Sequence, residues 1–192
     1  MKNTIIIADD DPITRMDIGE ILSEAGYNVV GEASDGLDAV EICRKFKPEL
    51  ALIDIKMPHL DGLKASKLII DEKLADVVVV LTAYSGSEFI EEAKAAGVTG
   101  YIVKPIDERT LLPEIEIAIY KGKELKRIEE GMINLKEEMD KKKFIDRAKE
   151  ILMEKCKITE EAAYKRLRKS SMDKRCSMME TADTIIEQYK NY

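Results

Sequence analysis

The chain has no tryptophan, one histidine, three cysteines, ten glycines and five prolines in 192 residues. So little glycine and proline excludes collagen-like and low-complexity classes. Cys43, Cys156 and Cys176 lie far apart with no Cys-x-x-Cys pair. That spacing excludes a disulfide framework and an ordinary structural zinc site. With His59 as the single imidazole, a histidine zinc centre or a catalytic triad has too few ligands. No apolar run approaches the ~18 residues of a membrane span. The opening Met-Lys-Asn-Thr-Ile-Ile-Ile-Ala-Asp-Asp has an apolar stretch too short for a signal peptide, and it ends in acids. These absences lead us to expect a reduced, cytoplasmic protein with no membrane partner.

Charge is plentiful. Charged residues make up 36% of the chain, and the formal net charge is −7. It is unevenly spread: −10 over residues 1–121, −2 over 122–140 and +5 over 141–192. An acidic first half and a basic last quarter suggest units with different partners.

The first ~120 residues alternate short aliphatic runs with helical patterns. The runs Thr4–Ala8, Tyr27–Gly31, Leu50–Ile53, Val77–Leu81 and Gly100–Val103 read as strands buried on both faces. Helical stretches fall near 12–25, 36–46, 61–73 and 86–96. Asp11-Pro12 is an N-cap followed by proline at the first helical position, and Gly26 and Gly97 stand where helices should end. Alternating strands and helices predict a doubly wound α/β domain with a five-stranded parallel sheet. Such sheets bind ligands beyond the carboxyl ends of their strands.

Five residues converge on that edge. Asp9 and Asp10 follow the first strand, Asp54 ends the third, Thr82 ends the fourth and Lys104 ends the fifth. Three carboxylates together repel one another unless a divalent cation neutralises them, and all-oxygen ligation suits Mg²⁺. Carboxylates, metal, hydroxyl and ammonium on one edge suit a transferring phosphoryl group, with one carboxylate as nucleophile. His59 falls in the loop after Asp54 and reads as exposed. The cysteines sit among apolar positions and read as small core residues.

From Glu108 to Met139 the chain is almost unpunctuated, with Pro113 placed for a first helical turn. Leu125, Ile128, Met132, Leu135 and Met139 are spaced 3, 4, 3, 4, which is an a/d seam for joining two chains. A single amphipathic helix packed on its own domain is the other reading. Gly122 and Gly131 each weaken such a helix by ~1 kcal/mol.

The last ~50 residues read as three helices. The first runs from about Lys141 to Cys156, with Ile145, Ala148, Leu152 and Cys156 on one face. The second opens at Thr159 and runs through Ser170. The third is capped by Asp173 and aligns Cys176, Met179, Ala182 and Ile186. Cations cluster here, and Lys143, Arg147, Lys149, Arg166, Arg168, Lys169, Lys174 and Arg175 are the candidates for a polyanion partner. A solvated face on a charged bundle accounts for them as well. Phe144, Tyr164 and Tyr189 can stack on unpaired bases or sit at the core and its rim.

Two resemblances sharpen this reading. Ala8-Asp9-Asp10-Asp11-Pro12, the run Leu52-Ile53-Asp54-Ile55-Lys56-Met57-Pro58-His59-Leu60-Asp61-Gly62, Leu81-Thr82-Ala83 and Tyr101-Ile102-Val103-Lys104-Pro105 together resemble the receiver domain of two-component response regulators. The resemblance implies a flavodoxin-like sheet in the order 2-1-3-4-5. It implies Asp54 as phosphoacceptor. Asp9, Asp10, Asp54 and the backbone carbonyl of Lys56 become Mg²⁺ ligands. Thr82 and Tyr101 become a switch pair, Lys104 the phosphoryl-binding lysine and Lys104-Pro105 a cis peptide. The segments Ile145–Met153, Thr159–Arg168 and Ala182–Ile186 resemble the ANTAR output domain, an RNA-binding three-helix module of transcription antiterminators. Glu150, where that family usually has glycine, and a lysine-rich first helix depart from the pattern.

The expected layout is therefore a receiver over 1–120, a coiled-coil helix over 121–140 and a three-helix all-α domain over 141–192. The resemblance implies a sensor histidine kinase, Mg²⁺, a homodimer on phosphorylation and RNA stem-loops of leader transcripts as partners, with no small-molecule substrate. Ethanolamine use, nitrate assimilation and amidase control all lie within the family's range, and the Lys/Glu/Ile-rich composition favours the first. The chain should be no enzyme beyond taking up and losing its own phosphoryl group. A DNA-binding helix-turn-helix output is the alternative, though the expected turn near Ser170–Asp173 lacks a glycine. A purely protein-binding output is a third reading. An enzymatic one is disfavoured, because residues 122–192 have no histidine, Gly-rich loop or carboxylate cluster.

Overall fold

The computed structural model describes residues 3–83 and 87–190. The chain divides into two compact units, the first running to Lys126 and the second starting at Arg127.

The first unit is built from β1 (Thr4–Ala8), α1 (Pro12–Glu24), β2 (Asn28–Ala33), α2 (Gly36–Phe46), β3 (Leu50–Asp54), α3 (Gly62–Asp71), β4 (Val77–Thr82), α4 (Ser87–Ala96), β5 (Gly100–Val103) and the start of α5 (Glu108–Cys156). All strand pairs are parallel, in the order β2-β1-β3-β4-β5. The three central strands are aliphatic at consecutive positions because helices cover both of their faces. Successive side chains point to opposite sides. Ile5, Ile7, Leu50, Leu52, Val77, Val79 and Leu81 meet Ile18 and Leu22 of α1 and Leu111, Ile115 and Ile119 of α5. Ile6, Ala51, Ile53 and Val78 meet Ala39, Val40 and Cys43 of α2 and Ala65 and Ile69 of α3. The edge strands β2 and β5 are half-exposed.

Local chemistry sets the joints. Asp11 caps α1 by accepting from the Ile13 N–H, with Pro12 at the first position. Gly26 and Gly97 take positive φ angles of 78° and 81° just past helix ends, which costs glycine little. β2 begins and ends later than the aliphatic run suggests, because pairing with β1 extends it to Ala33.

The second unit holds the remainder of α5, then α6 (Glu160–Lys174) and α7 (Met178–Lys190). Ala148, Leu152, Ala163, Leu167, Ala182 and Ile186 form its core. Three sequence expectations are corrected here. First, α5 is one unbroken helix of 49 residues, with no new start at Lys141. The charge changes there, but no cap, glycine or proline interrupts a run of good helix formers. Pro113 then falls in the second turn, where its ring nitrogen can donate no backbone bond. Second, α6 runs past Ser170 to Lys174, ending where Arg175 takes a left-handed φ of 52°. Third, Asp173 lies inside α6 and caps nothing. The third helix is opened by Ser177, whose Oγ accepts from the Glu180 N–H while the Ser177 N–H donates to Glu180 Oε2. That reciprocal capping box satisfies two donors at once, and it leaves Cys176 outside the helix.

Candidate functional site: an acidic pocket at the strand ends and a basic helical unit

The sheet's own hydrogen bonds carry its order into the pocket. The Asp9 N–H donates to the Ala33 carbonyl, the Ile55 N–H to Leu81 and the Lys104 N–H to Thr82. Asp9, Asp54 and Lys104 are thus held at the carboxyl ends of β1, β3 and β5 on one edge of the sheet. Lys104 Nζ lies 2.6 Å from Asp9 Oδ2 and 2.8 Å from Asp54 Oδ1. The second oxygen of each carboxylate is also held: Asp9 Oδ1 accepts from the Asp11 N–H at 3.0 Å and Asp54 Oδ2 from the Lys56 N–H at 3.2 Å. Asp9, Asp54 and Thr82 are buried, while Asp10 is exposed. The expected Lys104-Pro105 cis peptide is present.

Burial pushes the Asp54 carboxyl above the usual carboxylate range, and the hydrogen bond from Lys104 only partly opposes it. Burial alone would lower the Lys104 ammonium, but its bonds to Asp54 and Asp9 outweigh that and raise it. Carboxylate oxygens of Asp9, Asp10 and Asp54 all lie within 4.8 Å of one another. Three carboxylates and one ammonium leave two formal negative charges. An all-oxygen donor set with that charge, partly open to solvent through Asp10, fits a hard divalent cation such as Mg²⁺.

The loop after β3 must pass very close to the strand. A Cβ on Gly62 would come within 1.9 Å of the Asp54 carbonyl oxygen, so only glycine lets α3 start there. Tyr101 is half-exposed on β5, paired across the sheet with Val80, while Thr82 pairs with Val103. His59 is exposed as expected but takes a φ of 61° and sets Nδ1 3.2 Å from Asp35 Oδ2. Sequence reasoning missed Arg15. Its guanidinium donates to the Asp9 carbonyl and lies 3.7 Å from Glu32. Nothing in the spacing of one arginine on α1 announces this.

In the second unit the candidate cations divide into two groups. Lys143 pairs with Asp140, Arg147 with Glu150, and Lys149 with both Asp146 and Glu160 at 2.7 Å. Hydrogen bonds that the Lys149 ammonium donates to Asp146, then to Glu160, hold it above the usual lysine range. Arg166 donates to Cys156 Sγ at 3.2 Å. Among the described residues, Arg168, Lys169, Lys174 and Arg175 make no ion pair. Phe144 and Tyr164 sit at the rim, more than a third exposed, and Tyr189 is half-buried. The seam residues Leu125, Ile128, Met132, Leu135 and Met139 are each 57–66% exposed in the single chain. Among the described residues no helix is long and apolar enough to cross a membrane.

Comparison with known proteins agrees with this division. A family model for the response regulator receiver domain matches residues 5–116, and one for the ANTAR domain matches residues 134–186. The transcriptional regulatory protein PdtaR of Mycobacterium tuberculosis is 39% identical over 183 residues, covering 95% of this chain and 89% of its own. Among solved structures, the response regulator domain of Thermotoga maritima CheB is 31% identical with a TM-score of 0.56, covering 64% of this chain and 96% of its own. The Vibrio cholerae chemotaxis response regulator CheY4 is 28% identical with a TM-score of 0.57, covering 60% and 98%. The chain belongs to the response regulators that join a receiver domain to an ANTAR domain.

Proposed function

We propose that the chain is a phosphorylation-activated regulator that binds RNA stem-loops in nascent transcripts as a dimer and prevents termination. The observation that carries this reading is the Asp9, Asp54 and Lys104 cluster at the sheet edge, in one polypeptide with the ANTAR match.

The chemistry follows from the pocket. An Asp54 carboxylate oxygen attacks the phosphorus of a phosphohistidine on the sensor kinase. The P–N bond breaks, and its electron pair stays on the imidazole nitrogen, which is then reprotonated. A Mg²⁺ ion held by Asp9, Asp10, Asp54 and the Lys56 carbonyl would draw charge from the phosphoryl oxygens. Lys104, which contacts both Asp9 and Asp54, would supply a further cation, and the Thr82 hydroxyl would donate to the new phosphoryl group. Movement of Thr82 with Tyr101 reports the modified state on the β4–β5 side. Water attack on phosphorus returns Asp54 and inorganic phosphate, so self-phosphorylation and self-dephosphorylation are the only chemistry expected.

A modification shifts an equilibrium only when two states differ in free energy. Here the two states are monomer and dimer, joined along Leu125, Ile128, Met132, Leu135 and Met139. Holding leader RNA in a paired stem-loop form would deny its strands to a competing terminator hairpin. A kinase phosphohistidine and a nascent transcript are met together in the bacterial cytoplasm, which is where this reading puts the protein.

The test is binding of the purified full chain to its own operon's leader RNA against the same region as duplex DNA. Preference for the RNA supports the reading, and preference for the duplex transfers it to a helix-turn-helix output. Sedimentation with and without a small phosphodonor and Mg²⁺ tests the switch. An unchanged mass over a wide concentration range refutes it.

A further inference from the structure

We infer that Asp35 and His59 are positioning residues for the metal site: the bond between them fixes the tip of the loop joining β3 to α3, and with it the setting of the Lys56 carbonyl. The inference rests on the Mg²⁺ reading above and names two residues that sit outside the acidic cluster.

The base of the loop is secured from below. The Ile55 N–H donates to the Leu81 carbonyl, and the Gly62 N–H to the Ile55 carbonyl at 2.8 Å. Asp61 caps α3 by accepting from the Leu63 N–H at 2.9 Å. Lys56 lies between this base and the tip, with its own N–H bonded to Asp54 Oδ2. Its carbonyl belongs to the peptide unit that leads on to Met57. The setting of that peptide therefore depends on what holds the chain beyond it.

The tip is a tight turn. The Leu60 N–H donates to the Pro58 carbonyl at 2.7 Å, which closes a three-residue turn around His59. The φ of 61° at His59 makes this the rare, strained form of such a turn. A side-chain-bearing residue keeps that backbone only where its surroundings over-determine it, and strain of this kind gathers at functional sites.

The N-terminus of α2 supplies the hold. His59 Nδ1 lies 3.2 Å from Asp35 Oδ2. Backbone N–H groups, that of Asp38 foremost, hold the Asp35 carboxyl below the usual carboxylate range, so it is ionised at neutral pH. An ionised carboxylate only accepts, so Nδ1 carries the proton whether the ring is neutral or charged. The other oxygen, Asp35 Oδ1, accepts from the Leu37 and Asp38 N–H groups at 2.8 and 2.9 Å. One carboxylate thus caps α2 and holds the loop at once. The backbones also meet: a Cβ on Gly36 would come within 2.2 Å of the Leu60 carbonyl oxygen. Met57 and Leu60 pack on the apolar cluster beneath α2 and α3. That contact is non-directional and sets the depth of the loop, whereas the hydrogen bond sets its direction. Groups that orient a metal ligand without touching the metal change its affinity.

The experiment measures Mg²⁺ affinity of the full chain by titration calorimetry. Amide hydrogen exchange of the peptide spanning residues 55–61, in the metal-free protein, is the second readout. Asp35→Ser keeps a good helix cap but offers no second oxygen to His59, and His59→Ala removes the donor. Each should weaken Mg²⁺ binding by about two- to fivefold, the scale of an exposed charged pair, and each should speed exchange in the loop. The double variant should lose no more than either single one, because the two residues act through one bond. His59→Asn, whose amide donates and whose backbone takes a positive φ more readily, should restore wild-type affinity. The Mg²⁺ concentration for half-maximal phosphate uptake should rise by the same factor, while the maximal rate changes less. Additive losses in the double variant, or wild-type affinity in both single variants, overturn the inference and leave the metal reading standing. A wild-type protein that binds no Mg²⁺ overturns both.

Discussion

The two units handle charge in opposite ways. In the receiver the charged groups are brought together from distant parts of the sequence and buried, so that Lys104 meets an acid 95 residues away. In the ANTAR unit most ion pairs are local and exposed, such as Arg147 with Glu150 or Lys165 with Glu161. A parallel sheet makes the first arrangement unavoidable, because all its strands deliver their ends to one edge. A small helical unit has no such focus. Its surface is spread over three helices, and function there has to be read from which charges remain unpaired.

The comparison can be broken most decisively in the receiver. Asp54→Ala should abolish acid-labile phosphate uptake from a small phosphodonor, and removing Mg²⁺ with a chelator should do the same to the wild type. Wild-type labelling of that variant would mean the buried cluster is not the acceptor site. Lys104→Ala should leave the fold intact but impair the response, because it takes a cation from the phosphoryl group.

Thiol chemistry gives the next largest contrast. Burial pushes the Cys43 thiol up to about 12. At neutral pH its thiolate fraction is roughly a thousandfold below that of a thiol at the ordinary value. Cys156 and Cys176 are only half-buried. Mass-resolved alkylation of the native protein should modify these two while sparing Cys43 until the receiver unfolds. Modification of Cys43 at their rate would show the receiver core to be open.

Leu167→Ala should separate the units energetically. Leu167 is fully buried in the small core of the second unit, so truncation should cost about 2–5 kcal/mol there. Phosphate uptake at Asp54 should continue, and calorimetry with a phosphorylation assay on one sample would check both. The smallest effect should come from Lys149→Ala. One of its ion pairs, to Asp146, lies within α5, and the other, to Glu160, links α5 to the start of α6. Their loss should destabilise that unit by on the order of 1 kcal/mol, visible as a small drop in the unfolding midpoint.

The receiver was legible almost entirely from the sequence. Aliphatic runs such as Val77–Leu81 have the strict pattern of strands covered on both faces, and Asp9, Asp54 and Lys104 follow their strands without an intervening turn. The details that escaped depend on long-range packing. The hold of Arg15 on the Asp9 carbonyl is one, and the near-contact that requires glycine at position 62 is another. The helical unit was less legible at its joints. Asp173 and Ser177 are both credible caps, and only the reciprocal partner Glu180 decides between them. The shift of that turn to Arg175–Ser177 also changes the glycine argument against a helix-turn-helix, because Arg175 itself adopts the left-handed conformation. Nor could composition tell paired from unpaired cations. Lys149 and Lys169 look alike in sequence, yet the first is held by two acids.

The central claim is that chemistry at Asp54 governs binding by the basic unit. Its most direct test is the affinity of the full chain for a hairpin RNA, measured with and without a small phosphodonor and Mg²⁺, in the wild type and in Asp54→Ala. The account predicts that the phosphodonor tightens wild-type binding by about tenfold or more, the scale of an ordinary coupling free energy, and leaves Asp54→Ala unchanged. Equal affinity of the wild type in both conditions, with Asp54 shown to be phosphorylated, would contradict it.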